Sequence, residues 1–421
     1  MTLRNLKQEI LLMGKQAKEA SHLMLETSLT LRNKALALIA QELKKKRALI
    51  IGENRKDLKI AQNKGLSSAF LDRLRLDNRD LQKMAEMVRE VKRLPDPLGK
   101  PLWEIKRPNG LLIKRVSVPI GVIAIVYESR PDVTVQAATL CLKSGNSVLL
   151  KGGREAHFSN LILTHILQRA IKRCGLPEYG IQIVKSTERR AVKYILSLSN
   201  CIDLIIPRGG ESLIKMVSSN SRIPVIKHYK GVCHTYVDKK ASLEKAVSIT
   251  YNSKIQRPGT CNSTETLLVH RKVAPSFLPE IINKLKSARC EIRGCQKTLK
   301  IYPGIKKAKM EDWSTEYLDK ILSVKVVDSL KEAIEHINLY GTHHSDSIIT
   351  KDKKRGEEFL KRVDSAAVYL NSSTRFTDGN EFGLGAEIGI STDKIHARGP
   401  MGLESLTSYK YIIYGNGQIR K

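Results

Sequence analysis

The chain has 421 residues, 41% hydrophobic and 27% charged, an ordinary globular composition with room for two or three packed domains. Lys and Arg number 73 against 42 Asp and Glu, a net charge of +31. With 5% aromatics and only short basic clusters such as Lys44 to Arg47, that excess reads as solvated lysine that favours anionic small substrates, and no nucleic-acid partner is expected.

From Met1 to about Leu94 the pattern is helical. Leu36, Ile39 and Leu43, then Leu81, Met84, Val88 and Val91, recur at three- and four-residue steps. Pro95 and Pro97 end this region. Residues 102–118 carry β-type side chains around Asn109-Gly110, a hairpin signal standing between two larger units. Gly121-Val-Ile-Ala-Ile-Val-Tyr127 is a continuous apolar run, as for a strand buried on both faces. A helix is predicted over 132–143, a strand over 147–151, a helix over 157–174, and strands over 181–184, 201–206 and 223–226 with helices between them. Strands alternating with helices imply a doubly wound parallel sheet, which binds ligands at the carboxyl ends of its strands. A second series follows: strands over 266–269, 322–327, 347–350 and 366–370, helices over 274–287, 330–339 and 356–363, and a β-rich tail over 409–414. The fold class is α/β.

Seven cysteines, Cys141, Cys174, Cys201, Cys233, Cys261, Cys290 and Cys295, include no CxxC pair. Neither a disulfide framework nor a zinc site is expected, and the compartment reads as reducing. The longest apolar run is far too short to span a bilayer, so a cytoplasmic protein without a membrane partner is expected. Cys261 stands apart from the other six in a polar, glycine-bearing stretch, residues 252–265, read as an exposed loop before a buried strand. Lys254 and Arg257 nearby would stabilise its thiolate. Lys151 beside Gly152-Gly153, and Arg208 beside Gly209-Gly210, each put a cation and glycines at a strand end, which suits an anionic ligand. His343, His344 and His396 have no carboxylate or cysteine at ligand spacing, so no metal is expected.

Together with these residues, several longer blocks carry a resemblance. Val118-Pro-Ile-Gly-Val122, Tyr127-Glu-Ser-Arg-Pro131, Cys141-Leu-Lys-Ser-Gly-Asn146, Gln256-Arg-Pro-Gly-Thr-Cys-Asn262, Phe382-Gly-Leu-Gly-Ala-Glu-Ile-Gly-Ile-Ser-Thr392 and His396-Ala-Arg-Gly-Pro-Met-Gly402 resemble gamma-glutamyl phosphate reductases, of the aldehyde dehydrogenase superfamily. The resemblance covers nearly the whole chain. It implies a doubly wound NADPH-binding domain (1–99 and 119–230), an α/β catalytic domain (231–404) and a small β arm (100–118 and 405–421) that builds homo-oligomers. It also implies reduction of gamma-glutamyl phosphate to glutamate semialdehyde in proline biosynthesis, with NADPH as cofactor. Cys261 falls at the nucleophile position and Lys151 at the lysine that contacts the adenosine ribose and its phosphate. Gly209 and Gly210 are expected to bind the cofactor as well, and Glu316 falls where a glutamate touches the nicotinamide ribose. Ser129 would share an oxyanion with the backbone N–H of Cys261, while Arg130 and Arg257 would hold the substrate's phosphate or carboxylate. A transient contact with glutamate kinase is an expectation of the same kind.

Where hydrolytic aldehyde dehydrogenases carry a glutamate base in a Leu-Glu-Leu-Gly-Gly block, this chain has His228-Tyr-Lys-Gly-Val-Cys-His234, with no carboxylate. A base that activated water would hydrolyse a thioester and waste the acyl group. Its absence suits exchange between thioester and phosphate. Two rivals remain open at this point: another oxidoreductase of the superfamily, and a basic binding protein on the same fold.

Overall fold

A computed structural model describes residues 3–420. The chain divides into two units. The first takes in Met1–Lys227, Gly383–Gly389 and Met401–Lys421, and the second His228–Phe382 and Ile390–Pro400.

The first unit opens with five helices, Leu3–Leu25, Leu29–Lys45, Arg47–Asn63, Ser68–Leu74 and Asn78–Arg93. The last begins at a capping box in which Asp77 and Asp80 satisfy each other's backbone N–H groups. Its buried face is the predicted one, Leu81, Met84, Val88 and Val91. The hairpin follows as β1 (Pro101–Lys106) and β2 (Leu112–Pro119), turning where Gly110 adopts φ +90°.

Four parallel strands form the core sheet: β3 (Val122–Tyr127), β4 (Ser147–Lys151), β5 (Ile181–Ile183) and β6 (Leu204–Arg208), in the order β5-β4-β3-β6. Every side chain of β3 and β4 is buried, as for strands covered on both faces. The chain runs outward from β3 to β5 and then crosses back to place β6 on the other side of β3. The carboxyl ends of β3 and β6 therefore flank the topological switch point. The strand predicted over 223–226 reduces to a single bridge between Val225 and Ile205.

The second unit holds a seven-stranded parallel sheet. Its strands are β7 (Cys233–Val237), β8 (Thr264–His270), β9 (Glu291–Gly294), β10 (Lys306–Lys307), β11 (Ile321–Val327), β12 (Ser345–Ile349) and β13 (Ala367–Leu370). Their order is β10-β9-β11-β8-β7-β12-β13. Beside it β14 (Ile390–Ser391) pairs with β15 (Gly399–Pro400). The last strand, β16 (Thr407–Tyr414), belongs to the first unit and pairs antiparallel with β2, making a three-stranded sheet β1-β2-β16. Leu102, Trp103, Tyr409, Tyr411, Ile413 and Tyr414 are exposed on that sheet.

Two elements differ from the sequence expectation in ways that matter for the site. Residues 252–255 are not loop but the last turn of a helix, Leu243–Ile255, and β7 was not expected at all. Asn252, Lys254 and Gln256 look polar because they flank one helix end, and the short strand Cys-His-Thr-Tyr-Val has too little aliphatic content to announce itself.

Candidate active site

In the first unit a cavity of about 630 Å³ opens at the switch point. Its lining includes Glu128 and Ser129 beyond β3, Lys151 to Glu155 beyond β4, and Ser212 and Leu213 beyond β6. A cavity of this size at carboxyl strand ends fits a nucleotide cofactor. Lys151 is buried there, its Nζ donating to the Gly152 carbonyl at 2.9 Å, and burial lowers its pKa against the pull of Glu155. The glycines after Lys151 are needed for close approach: a Cβ on Gly153 would stand 2.5 Å from the Ser129 hydroxyl.

The Ser129 hydroxyl donates to Glu155 Oε2 at 2.7 Å. Gly209 and Gly210 do not line the cavity. The N–H of Gly210, which caps the helix Glu211–Asn220, is taken by Glu128 Oε1 at 2.9 Å, and Glu128 packs over Gly209. An internal carboxylate thus occupies the helix N-terminus. Arg130 is exposed and pairs with Asp132 at 2.9 Å.

Within the second unit Cys261 lies in a short turn between the helix Leu243–Ile255 and β8, half-buried. Gly231 packs so closely on it that a Cβ there would fall inside the Cys261 carbonyl. Gly231 is in turn held by its N–H, which donates to Glu316 Oε1 at 2.8 Å. Glu316 therefore braces the cysteine's support, at one carboxylate oxygen at least. Asn262 anchors the far side of the turn by donating to the Thr377 and Arg375 carbonyls at 2.9 and 3.3 Å. Arg257 is exposed in the same turn, and Arg375 lies near enough that Arg257 and Cys261 both bear on its titration, after the larger effect of burial. Lys254 is corrected: it is not a thiolate partner but is fully buried in an ion pair with Glu265 at 2.6 Å.

The histidines were missed. One ring nitrogen of His228, one of His344 and the Cys261 Sγ all lie within 4.8 Å of one another. His228 Nδ1 faces the Ile390 carbonyl at 2.8 Å, so that nitrogen carries a proton and donates it. In the neutral ring the lone pair is then on Nε2. His344 is wholly buried, and burial followed by the neighbouring His228 pushes its pKa down to about 3, which keeps it neutral. Cys233 donates its S–H to the Cys261 carbonyl at 3.2 Å, and burial holds that thiol well above the ordinary range. Of the two, Cys261 is the thiol placed to react. Adjacent His343 points away, toward Asp364. The expectation of no metal rested on spacing along the chain, and in space a thiol and two imidazoles do converge; we read them as an acid–base cluster and assign no metal. No signal of spacing could have joined residues 228, 261 and 344.

A family model described as the aldehyde dehydrogenase family matches residues 5–320 and 293–412. The chain belongs to the aldehyde dehydrogenase family, and within it to the gamma-glutamyl phosphate reductases. It is 52% identical to the gamma-glutamyl phosphate reductase of Thermodesulfovibrio yellowstonii over 416 residues, covering 99% of this chain and 100% of that one. The gamma-glutamyl phosphate reductase of Moorella thermoacetica is 51% identical over 99% of this chain and 100% of its own. The crystal structure of the Thermotoga maritima gamma-glutamyl phosphate reductase superposes with a TM-score of 0.97 at 44% identity, over 98% of this chain and 100% of that one. The protein is an oxidoreductase. Among the described residues no helix is long and apolar enough to cross a membrane.

Proposed function

We propose that the chain reduces gamma-glutamyl phosphate to glutamate semialdehyde, releasing phosphate, with NADPH as the reductant and Cys261 as the nucleophile, in the cytoplasmic synthesis of proline. The observation that carries this reading is the Cys261 turn: a half-buried thiol, braced by Gly231 and Asn262, with two imidazoles and two arginines about it. The Cys261 thiolate attacks the acyl carbon, phosphate leaves, and a thioester results, which divides one hard displacement into two easier steps. Bound NADPH supplies the hydride that takes the thioester to the aldehyde. The backbone N–H of Cys261 is the donor we assign to the oxyanion, a contribution of about 3 kcal/mol for one such group. Arg257 and Arg375 hold the substrate's anionic ends, since the guanidinium meets phosphate or carboxylate in bidentate geometry.

The preference for NADPH rests on Lys151, with Arg189 and Lys193 also lining the cavity, facing a cofactor that carries one more phosphate than NADH. The NADP complex of the Methanocaldococcus jannaschii glyceraldehyde-3-phosphate dehydrogenase shares the fold, with a TM-score of 0.68 at 16% identity. The exposed apolar sheet β1-β2-β16 is the surface we assign to self-association. A direct test of the thioester is intact-protein mass spectrometry after mixing with glutamate semialdehyde and NADP without phosphate. A glutamyl adduct confined to Cys261 is expected; its absence, with NADP still reduced, would remove the covalent mechanism.

A further inference from the structure

The stretch 228–234 lacks the superfamily's glutamate, yet its first residue stands at the cysteine. We infer that His228 is the proton carrier of the acyl-transfer step, taking the proton of the Cys261 thiol and giving it to the departing phosphate. The inference rests on Cys261 being the nucleophile of the proposed reaction.

The geometry assigns the parts. His228 Nδ1–H is tied to the Ile390 carbonyl at 2.8 Å, which sets the tautomer and orients the ring, so the basic nitrogen is Nε2. A base oriented through its other nitrogen, beside a thiol, is the arrangement that activates a cysteine. His344 meets His228 edge to face, with ring centroids 5.6 Å apart, and is wholly buried. Cys261 completes the trio, and Cys233 lies 3.7 Å from His344 Nδ1. The half-exposed ring of His228 is the member that exchanges protons with solvent. His344 stays neutral and keeps a second positive charge away.

The step balances. Thiol and imidazole become thiolate and imidazolium. The sulfur forms a bond to the acyl carbon, and the carbon–oxygen bond to phosphate breaks with its electron pair on oxygen. The imidazolium proton passes to that oxygen, so hydrogen phosphate leaves and His228 returns neutral. In reverse, His228 takes the proton of hydrogen phosphate as its oxygen attacks the thioester.

Two variants separate this role from packing. His228→Asn keeps a donor for the Ile390 carbonyl without a base; His228→Gln keeps a polar group near the Nε2 position. Alkylation of Cys261 by iodoacetamide, followed against pH by mass spectrometry, reads the thiolate directly and needs no turnover. Both variants should move the midpoint of that profile upward by about one unit or more, toward the range of an ordinary thiol. Phosphate-dependent oxidation of glutamate semialdehyde by NADP should fall by about 10²-fold in kcat, with little change in NADP binding. A profile and kcat like the parent's in His228→Asn would overturn the role and leave His228 a tether. An active Cys261→Ala would instead overturn the thioester reading itself.

Discussion

The cofactor cavity of the first unit and the cysteine site of the second sit at opposite poles of their sheets. Lys151, Glu128 and Ser129 follow the carboxyl ends of β4 and β3, where parallel sheets usually bind ligands. Cys261 precedes β8, His344 precedes β12, and Gly231 and His228 precede β7, so that site is built at the amino ends of three neighbouring parallel strands. The first is an open cavity rich in charge. The second is a cluster of buried and half-buried groups in which burial keeps His344 neutral. A strand-end rule finds one and misses the other, and substitutions should act differently in each.

The sharpest break in the comparison is Cys261→Ala. Turnover should fall by roughly 10⁴-fold or more, while NADPH binding, followed by fluorescence titration, stays near the parent value. Ala at Cys141 or Cys290, both buried with thiols raised by burial, should leave kcat within about twofold.

Next comes the buried pair behind the cysteine. Removing one partner, as in Lys254→Met, leaves Glu265 fully buried without its ion-pair partner and should cost about 3–5 kcal/mol in denaturant unfolding, whereas Lys254→Met with Glu265→Leu should recover most of it. The pair also predicts a pH dependence. Burial pushes the Glu265 carboxyl up from 4.5 to about 7, against the opposing pull of Lys254. The folded state thus binds the extra proton, so this group's stabilisation is full below about pH 4.5 and is lost as pH rises to about 7. The unfolding midpoint of the parent should decline across that window relative to the double variant.

Smaller in effect is Gly231→Ala, because the added Cβ must displace the Cys261 carbonyl. A shift of that kind should lower kcat/KM by about 10²-fold without touching cofactor affinity. The smallest effect belongs to the first unit. Lys151→Met should weaken NADPH binding by roughly 1–3 kcal/mol and NADH binding much less. Equal losses for the two would show that Lys151 does not read the extra phosphate.

Which parts were legible in the sequence follows from the same contrast. The strand β3 is a continuous apolar run, β4 has the bounds expected of it, and the helix Ala274–Ser287 has the bounds its periodicity implies. Lys151 was legible because a cation and two glycines sit side by side after a strand. Cys261 was legible because its neighbours are polar. The partners of Cys261 were not, since His228, Gly231 and His344 come from three separate strand entrances and meet only once β7, β8 and β12 pair. Lys254 misled because a buried lysine and an exposed one look alike until Glu265 is seen beside it. The bond from Ser129 to Glu155 was not legible, because Glu155 lies on a different strand's exit.

The central claim is that phosphate, not water, takes the acyl group from Cys261. It is tested most directly in the reverse direction, by counting NADPH formed per active site from glutamate semialdehyde with and without phosphate. One equivalent followed by a stall in phosphate-free buffer, with turnover restored by phosphate or arsenate, is the predicted result. Sustained turnover without either anion would mean that water reaches the thioester, and would contradict the account.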